Sequence, residues 1–156
     1  KTSKALSRMN QLFQEKKVDK TYWAIVKKNP PQQEDTLIHW LKKNQKSNST
    51  KVYPKEVNSS KKAILHYKTL FKLDAYTLLE VKLETGRSHQ IRSQLSYIGC
   101  PIKGDLKYKF KRSNLDGGIH LHAKTITFIH PVTKTQISIS ATPPKDVLWD
   151  ECLKKY

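Results

Sequence analysis

The sequence predicts an α+β fold built on a mainly antiparallel, mixed sheet with flanking helices. Two kinds of apolar spacing predict it. Helical stripes occur near residues 3–16 and 88–98, and alternating or β-branched runs occur between and after them. A hairpin pattern over 63–83 adds the antiparallel character.

Residues 3–16 carry Leu6, Met9, Leu12 and Phe13 on one face, with Thr2 or Ser3 as the cap. Lys20 to Lys28 reads as a strand, in which Tyr22, Ala24 and Val26 alternate with Trp23 and Ile25, and Pro30 and Pro31 end it. The run Thr36 to Leu41 fits strand or helix. Residues 44–60 are polar and rich in turn formers, so they read as a long mobile loop. The hairpin takes Ala63 to Lys72, a turn at Leu73–Ala75, and Tyr76 to Leu83. After Gly86, Ser88 can cap a helix running to about Ile98, with Ile91, Leu95 and Ile98 as its apolar stripe. Gly99 stops it. Residues 104–118 read as a second mobile loop. Ile119 to Phe128 and Gln136 to Ala141 are two more strands around a turn at 130–134, and Pro143 and Pro144 precede a short C-terminal helix. No repeat is visible, so residues 1–156 read as one domain, incomplete at its start.

Hydrophobic residues make up 37% of the 156 residues, and mean hydropathy is -0.69. Thirty Lys and Arg against 13 Asp and Glu leave a formal charge of +17. Such a charge repels itself in a compact state, which points to a polyanionic partner. The basic residues are spread between apolar and aromatic ones, which favours a folded basic surface over a basic tail. RNA or DNA is the leading partner class. No stretch approaches the roughly 20 apolar residues of a spanning helix. Cys100 and Cys152 offer neither metal spacing nor a disulfide framework, which suits a reducing cytoplasm. No signal peptide is read at the start. The first residue is Lys1 and not methionine, so the chain reads as processed or truncated.

The densest polar cluster is Leu83 to Tyr108, LETGRSHQIRSQLSYIGCPIKGDLKY. Here a strand enters a glycine turn and then a helix N-terminus, whose free N–H groups and dipole favour an anion. Arg87, His89 and Arg92 lie in that turn and the first helical turns. Arg92 flanks the apolar stripe, so it is either a solvated surface arginine or one that reaches inward to a carboxylate or phosphate. Lys103, Lys107, Lys109, Lys111 and Arg112 form either a solvated loop or a contact to an RNA backbone.

The segment TGRSHQIRSQLSYIGCPIKGDLKY resembles the third motif of RluA/RluD-type RNA pseudouridine synthases, with a GR-x-HQIR core. Lys20 to Val26 (KTYWAIV) is similar to the family's tyrosine-bearing strand. Ile119 to Thr133 (IHLHAKTITFIHPVT) is similar to its late strand pair, and the opening KTSKAL to the sequence after its catalytic loop. The resemblance covers most of residues 1–145.

The resemblance implies a pseudouridine-synthase-like catalytic domain, present in part, that isomerises uridine to pseudouridine in structured RNA such as rRNA or tRNA. Tyr22 matches the tyrosine that stacks on the target uracil and assists proton removal from C5. Arg92 matches the basic partner of the catalytic aspartate. Arg87, His89 and Gln90 lie in the motif as RNA or scaffold contacts. The isomerisation needs no redox cofactor, nucleotide or metal. The family's aspartate sits in an HRLD-like segment upstream of KTSKAL, and none of Asp19, Asp35, Asp74, Asp105, Asp116, Asp146 or Asp150 matches it. Asp105, after a glycine turn, reads as structural. Gln94 replaces a histidine common among relatives. Without the resemblance, Tyr22 reads as a core or cross-strand aromatic.

His120, His122 and His130 lack an acidic or cysteine partner at ligand spacing, so no metal is expected. The chain is expected to act on RNA as a monomer in the cytoplasm, away from membranes. The rival reading is a basic RNA-binding module without catalysis.

Overall fold

Three α-helices and seven strands occur in the computed structural model, which describes residues 2–15 and 17–156. In chain order they are α1 (Ser3–Gln14), β1 (Val18–Val26), β2 (Glu34–Asn44), β3 (Ser49–Tyr53), β4 (Lys61–Lys72), β5 (Thr77–Leu83), α2 (Gln90–Tyr97), β6 (Leu121–Ile129), β7 (Gln136–Ser140) and α3 (Val147–Lys155). The predicted helix over 3–16 includes Lys16, which lies outside the described residues. Among the described residues, no helix is long and apolar enough to cross a membrane. The chain divides into two compact units, residues 23–122 and residues 1–22 with 123–156.

In the larger unit the strand order is β3-β2-β4-β5-β1. The register pairs Lys43 with Thr50 across β2 and β3, and Leu41 with Lys61 across β2 and β4. β4 and β5 form the predicted hairpin, closed by Leu73 N–H donating to Tyr76 O at 2.8 Å, with an irregularity between Thr69 and Phe71. The core is apolar side chains with almost no exposure, among them Trp23, Ile25, Leu65, Leu79, Leu95 and Ile102. Trp23 to Val26 are all buried, as expected of a strand covered on both faces. α2 lies against β2 and β3. There Gln94, fully buried, donates Nε2–H to Leu37 O at 3.2 Å.

Three local readings need correction. The predicted loop over 44–60 contains β3 and is a tight hairpin with β2 over its first half. Its strand character comes from hydrogen bonding rather than apolar side chains: Thr50 is buried, and its hydroxyl donates to Ser88 O at 2.9 Å. α2 is capped by His89 and not Ser88; His89 adopts φ 52°, and its side chain makes no capping bond. Gln90 serves the preceding turn instead, its Oε1 accepting from Arg87 N–H at 2.9 Å. The predicted loop over 104–118 opens as a buried turn, with Gly104, Asp105 and Tyr108 inside and a 3₁₀ turn at Leu106–Tyr108.

In the smaller unit β6 neighbours β7. The β6–β7 register runs from Thr125 opposite Ser140 to Ile129 opposite Gln136. Thr2 caps α1, its hydroxyl accepting from Ala5 N–H at 3.3 Å. Asp146 caps α3, accepting from Leu148 N–H at 2.9 Å. Each unit holds one buried thiol, Cys100 in the larger and Cys152 in the smaller, neither in a disulfide. Burial pushes both thiols up, Cys152 to about 11.

Candidate functional site

The sequence TGRSHQIR turns β5 into α2. Gln90 locks the turn: its Oε1 also accepts from Thr85 Oγ1 at 2.9 Å, and its Nε2 donates to Ile64 O at 3.0 Å. With its amide committed to scaffold, Gln90 is 3% exposed.

Two turns later in sequence, the chain 101–105 returns beneath α2. It is held by Lys103 N–H donating to Ile25 O at 2.9 Å and His120 N–H donating to Lys103 O at 3.0 Å. Gly104 takes φ +85°, and a Cβ there would lie 2.6 Å from Asn114 Nδ2 and Gly118 O. Only glycine fits, and this turn delivers Asp105 to Arg92.

Arg92 donates Nε–H to Asp105 Oδ2 and Nη2–H to Asp105 Oδ1, both at 2.7 Å. This is the bidentate fork that a planar guanidinium makes best with a carboxylate. Asp105 is 1% exposed and the Arg92 side chain 22%. The hydrogen bonds to Asp105 raise the Arg92 pKa above its ordinary value, against the opposing effect of burial. The guanidinium also lies over the Tyr108 ring at 4.9 Å. One edge of Arg92 is thus fixed, while Nη1 has no hydrogen-bond partner among the described residues.

Tyr108 joins three segments. Its hydroxyl accepts from Thr50 N–H at 2.9 Å and meets His89 Nδ1 at 2.8 Å, and its carbonyl accepts from Ser96 Oγ at 2.8 Å. Burial, then the charges of Arg92 and Lys107, hold His89 below the ordinary imidazole value. A neutral ring with Nδ1 accepting the phenol proton fits that environment. Gln94 Nε2 meets His39 Nδ1 at 3.0 Å, and the Gln94 Oε1 has no hydrogen-bond partner among the described residues.

The larger unit therefore gathers Arg92, His89, Gln90 and Arg87 around one turn. Arg87 is oriented by Nε–H donating to Lys62 O at 3.0 Å. Lys107 joins from the 3₁₀ turn, donating Nζ–H to Asn48 O at 3.2 Å. The Lys103 ammonium is held by Asn114 Oδ1 at 2.6 Å. Tyr22 belongs to the smaller unit, on β1, where burial raises its phenol above the ordinary value. Sequence reading missed Tyr108 and Thr50, whose roles are hydrogen bonds to residues 12 or more positions away. It also missed Lys43 and Lys61, which carry no local motif.

The family model described as RNA pseudouridylate synthase matches residues 1–97. The uncharacterized RNA pseudouridine synthase YlyB of Bacillus subtilis is 33% identical over 141 residues, covering 90% of this chain and 45% of the relative. The tRNA pseudouridine synthase C of Vibrio parahaemolyticus is 28% identical, covering 99% of this chain and 69% of its own length. The solved structure of human RNA pseudouridylate synthase domain containing 4 superposes with a TM-score of 0.76 at 21% identity, over 99% of this chain and 68% of that one. The chain spans about half the length or less of the first curated relatives it matches, 45% and 50% for two of them. With that motif, that sheet and that family match together, the chain belongs to the RNA pseudouridylate synthase family.

Proposed function

We propose that this chain is part of an enzyme that isomerises uridine to pseudouridine in structured RNA, such as rRNA or tRNA. The reaction breaks the C1′–N1 bond, turns the uracil, and rejoins it through C5 with loss of the C5 proton. No atom is gained or lost, so the protein must supply positioning and charge rather than an oxidant. The observation that carries the reading is Arg92, fixed along one guanidinium edge by Asp105 and Tyr108, with Nη1 left to offer. A fixed guanidinium keeps a neighbouring carboxylate ionised, as a nucleophile at C1′ or a base at the 2′ hydroxyl must be. Asp105 is not that carboxylate, because it is 1% exposed and both its oxygens are bound by Arg92. The acting aspartate is assigned to an HRLD-like segment, which these 156 residues do not contain. Tyr22, a neutral phenol across neutral pH, is assigned to stack on the uracil, whose nucleotide must first leave any helix.

The proposal extends to action in a reducing cytoplasm, which two unbridged buried thiols support. The same burial of Asp105 favours a second reading for these 156 residues by themselves, a basic RNA-binding module without turnover. Pseudouridine formation in rRNA and tRNA, followed by tritium release or mass spectrometry, separates the two. The chain alone is expected to bind RNA without forming pseudouridine. A longer protein with an HRLD-like segment ahead of Lys1 is expected to form it, and to lose activity but keep binding when that aspartate becomes asparagine. Turnover by the chain alone would refute the assignment of the aspartate.

A further inference from the structure

Beside the Gly86–Ser88 turn, the larger unit carries a cleft of about 280 Å³ against β2, β3 and β4. Its lining includes Leu41, Lys43, Thr50, Lys61 and Arg87. The strand register explains the grouping. Leu41 and Lys43 share a face of β2 because they are two residues apart, and Lys61 and Thr50 stand directly opposite them on β4 and β3. Leu41 and Thr50 are buried and form the floor, while Lys43, Lys61 and Arg87 are exposed around it.

The cleft gathers three cations, and among the described residues no acidic side chain lines it. None of the three is in an ion pair among the described residues. Arg87 is held by its Nε on Lys62 O, which presents both Nη groups without a protein partner among the described residues. The backbone at Gly86 borders open space, since a Cβ there would meet nothing within 4 Å. Like charges grouped this way destabilise the fold unless an anion joins them. The volume is many times that of a single water, about 30 Å³, so it accepts more than a lone ion. An apolar floor beside a fork of N–H donors and two ammoniums matches a sugar–phosphate unit: ribose on Leu41, phosphate oxygens on Arg87 and the lysines.

We infer that this cleft binds a backbone phosphodiester of single-stranded RNA, a site separate from Arg92 and Asp105. The inference rests on the RNA reading above and adds to it where the strand is gripped. It is tested by fluorescence anisotropy of a labelled single-stranded oligoribonucleotide with the full chain, at several salt concentrations. The Lys43→Gln/Lys61→Gln double variant is expected to weaken binding about tenfold and to reduce the salt slope by about 1.4, the share of two phosphate contacts. Lys68→Gln/Lys82→Gln removes the same charge from outside the cleft, and is expected to change affinity less than twofold. Both lysine pairs are exposed, and thermal unfolding confirms that each variant is folded. Equal weakening by the two pairs, or none by the first, overturns the cleft and leaves RNA binding standing. Failure of the unaltered chain to bind the oligonucleotide while it binds a structured rRNA fragment overturns the cleft alone, and failure to bind either RNA overturns the RNA reading together with the cleft. Competition by a polyglutamate peptide as strong as by RNA of equal charge overturns the phosphodiester and points to an acidic protein.

Discussion

Arg92 and Asp105, 13 residues apart in sequence, face each other through two parallel hydrogen bonds of 2.7 Å. Asp105 is fully enclosed and Arg92 partly so, and the pair depends on both members being present. Asp105→Ala would leave a guanidinium without its partner, and is expected to cost about 3 kcal/mol, the lower end for a broken buried pair because Arg92 keeps some solvent. The urea midpoint should fall with little change in slope. Arg92→Met/Asp105→Leu should recover most of that loss, and a double variant as unstable as the single one would show that the pair is not the cause.

Tyr108→Phe removes the acceptor of the Thr50 N–H, a buried donor on β3. An unsatisfied buried N–H costs about 1–3 kcal/mol. The expected outcome is a lower thermal midpoint together with faster hydrogen exchange at the Thr50 amide. Exchange unchanged at Thr50 would mean that the phenol does not hold β3.

The two glycines flanking the motif should respond oppositely to alanine. At Gly104 the left-handed backbone adds about 1–3 kcal/mol of strain, and the new Cβ would sit 2.6 Å from Gly118 O. Gly104→Ala should therefore unfold at clearly lower denaturant. Gly86→Ala meets nothing within 4 Å, and its stability should stay within about 0.5 kcal/mol of the parent.

Stability should fall as pH drops below the ordinary histidine range. His39 and His89 both titrate below 6.5, chiefly through burial, with Arg92 and Lys107 adding to the effect at His89 and Asp35 opposing it at His39. The unfolded chain then binds protons that the folded chain refuses. Their contribution is complete above about 6.5 and is lost as pH falls through the folded values. Thermal midpoints at a series of pH values should show the decline, and His39→Gln/His89→Gln should flatten it.

The apolar pattern was enough to find α1, β1, the β4–β5 hairpin, α2 and the β6–β7 pair; β4 buries Ala63, Leu65 and Tyr67 at alternate positions and α2 buries Ile91 and Leu95 four apart, whereas the described residues of α1, β6 and β7 keep their apolar side chains partly exposed. It failed at β3 for a physical reason. Ser49, Thr50, Lys51, Val52 and Tyr53 carry little apolar signal, and the buried position is Thr50, satisfied by Ser88 and Tyr108. It failed again at 104–108, where the buried group is a carboxylate neutralised by a partner on another element. The cluster from Arg87 to Arg92 was visible as a motif. The fork to Asp105 and the hub at Tyr108 were not, since neither depends on local spacing. Lys43 and Lys61 become neighbours of Arg87 only through strand register, which a single chain does not display before its strands are paired.

Cys100 and Cys152 give the molecule two built-in reporters. Each is enclosed, one per unit, and burial raises each thiol above its ordinary value, Cys152 to about 11. A thiol reacts as thiolate and only when reached, so alkylation of the native chain must wait for an opening event. Brief exposure to an alkylating label, followed by peptide mass mapping, would then time the opening of the region around residue 100 separately from that around residue 152. The chain needs no added probe for its two halves to be clocked independently.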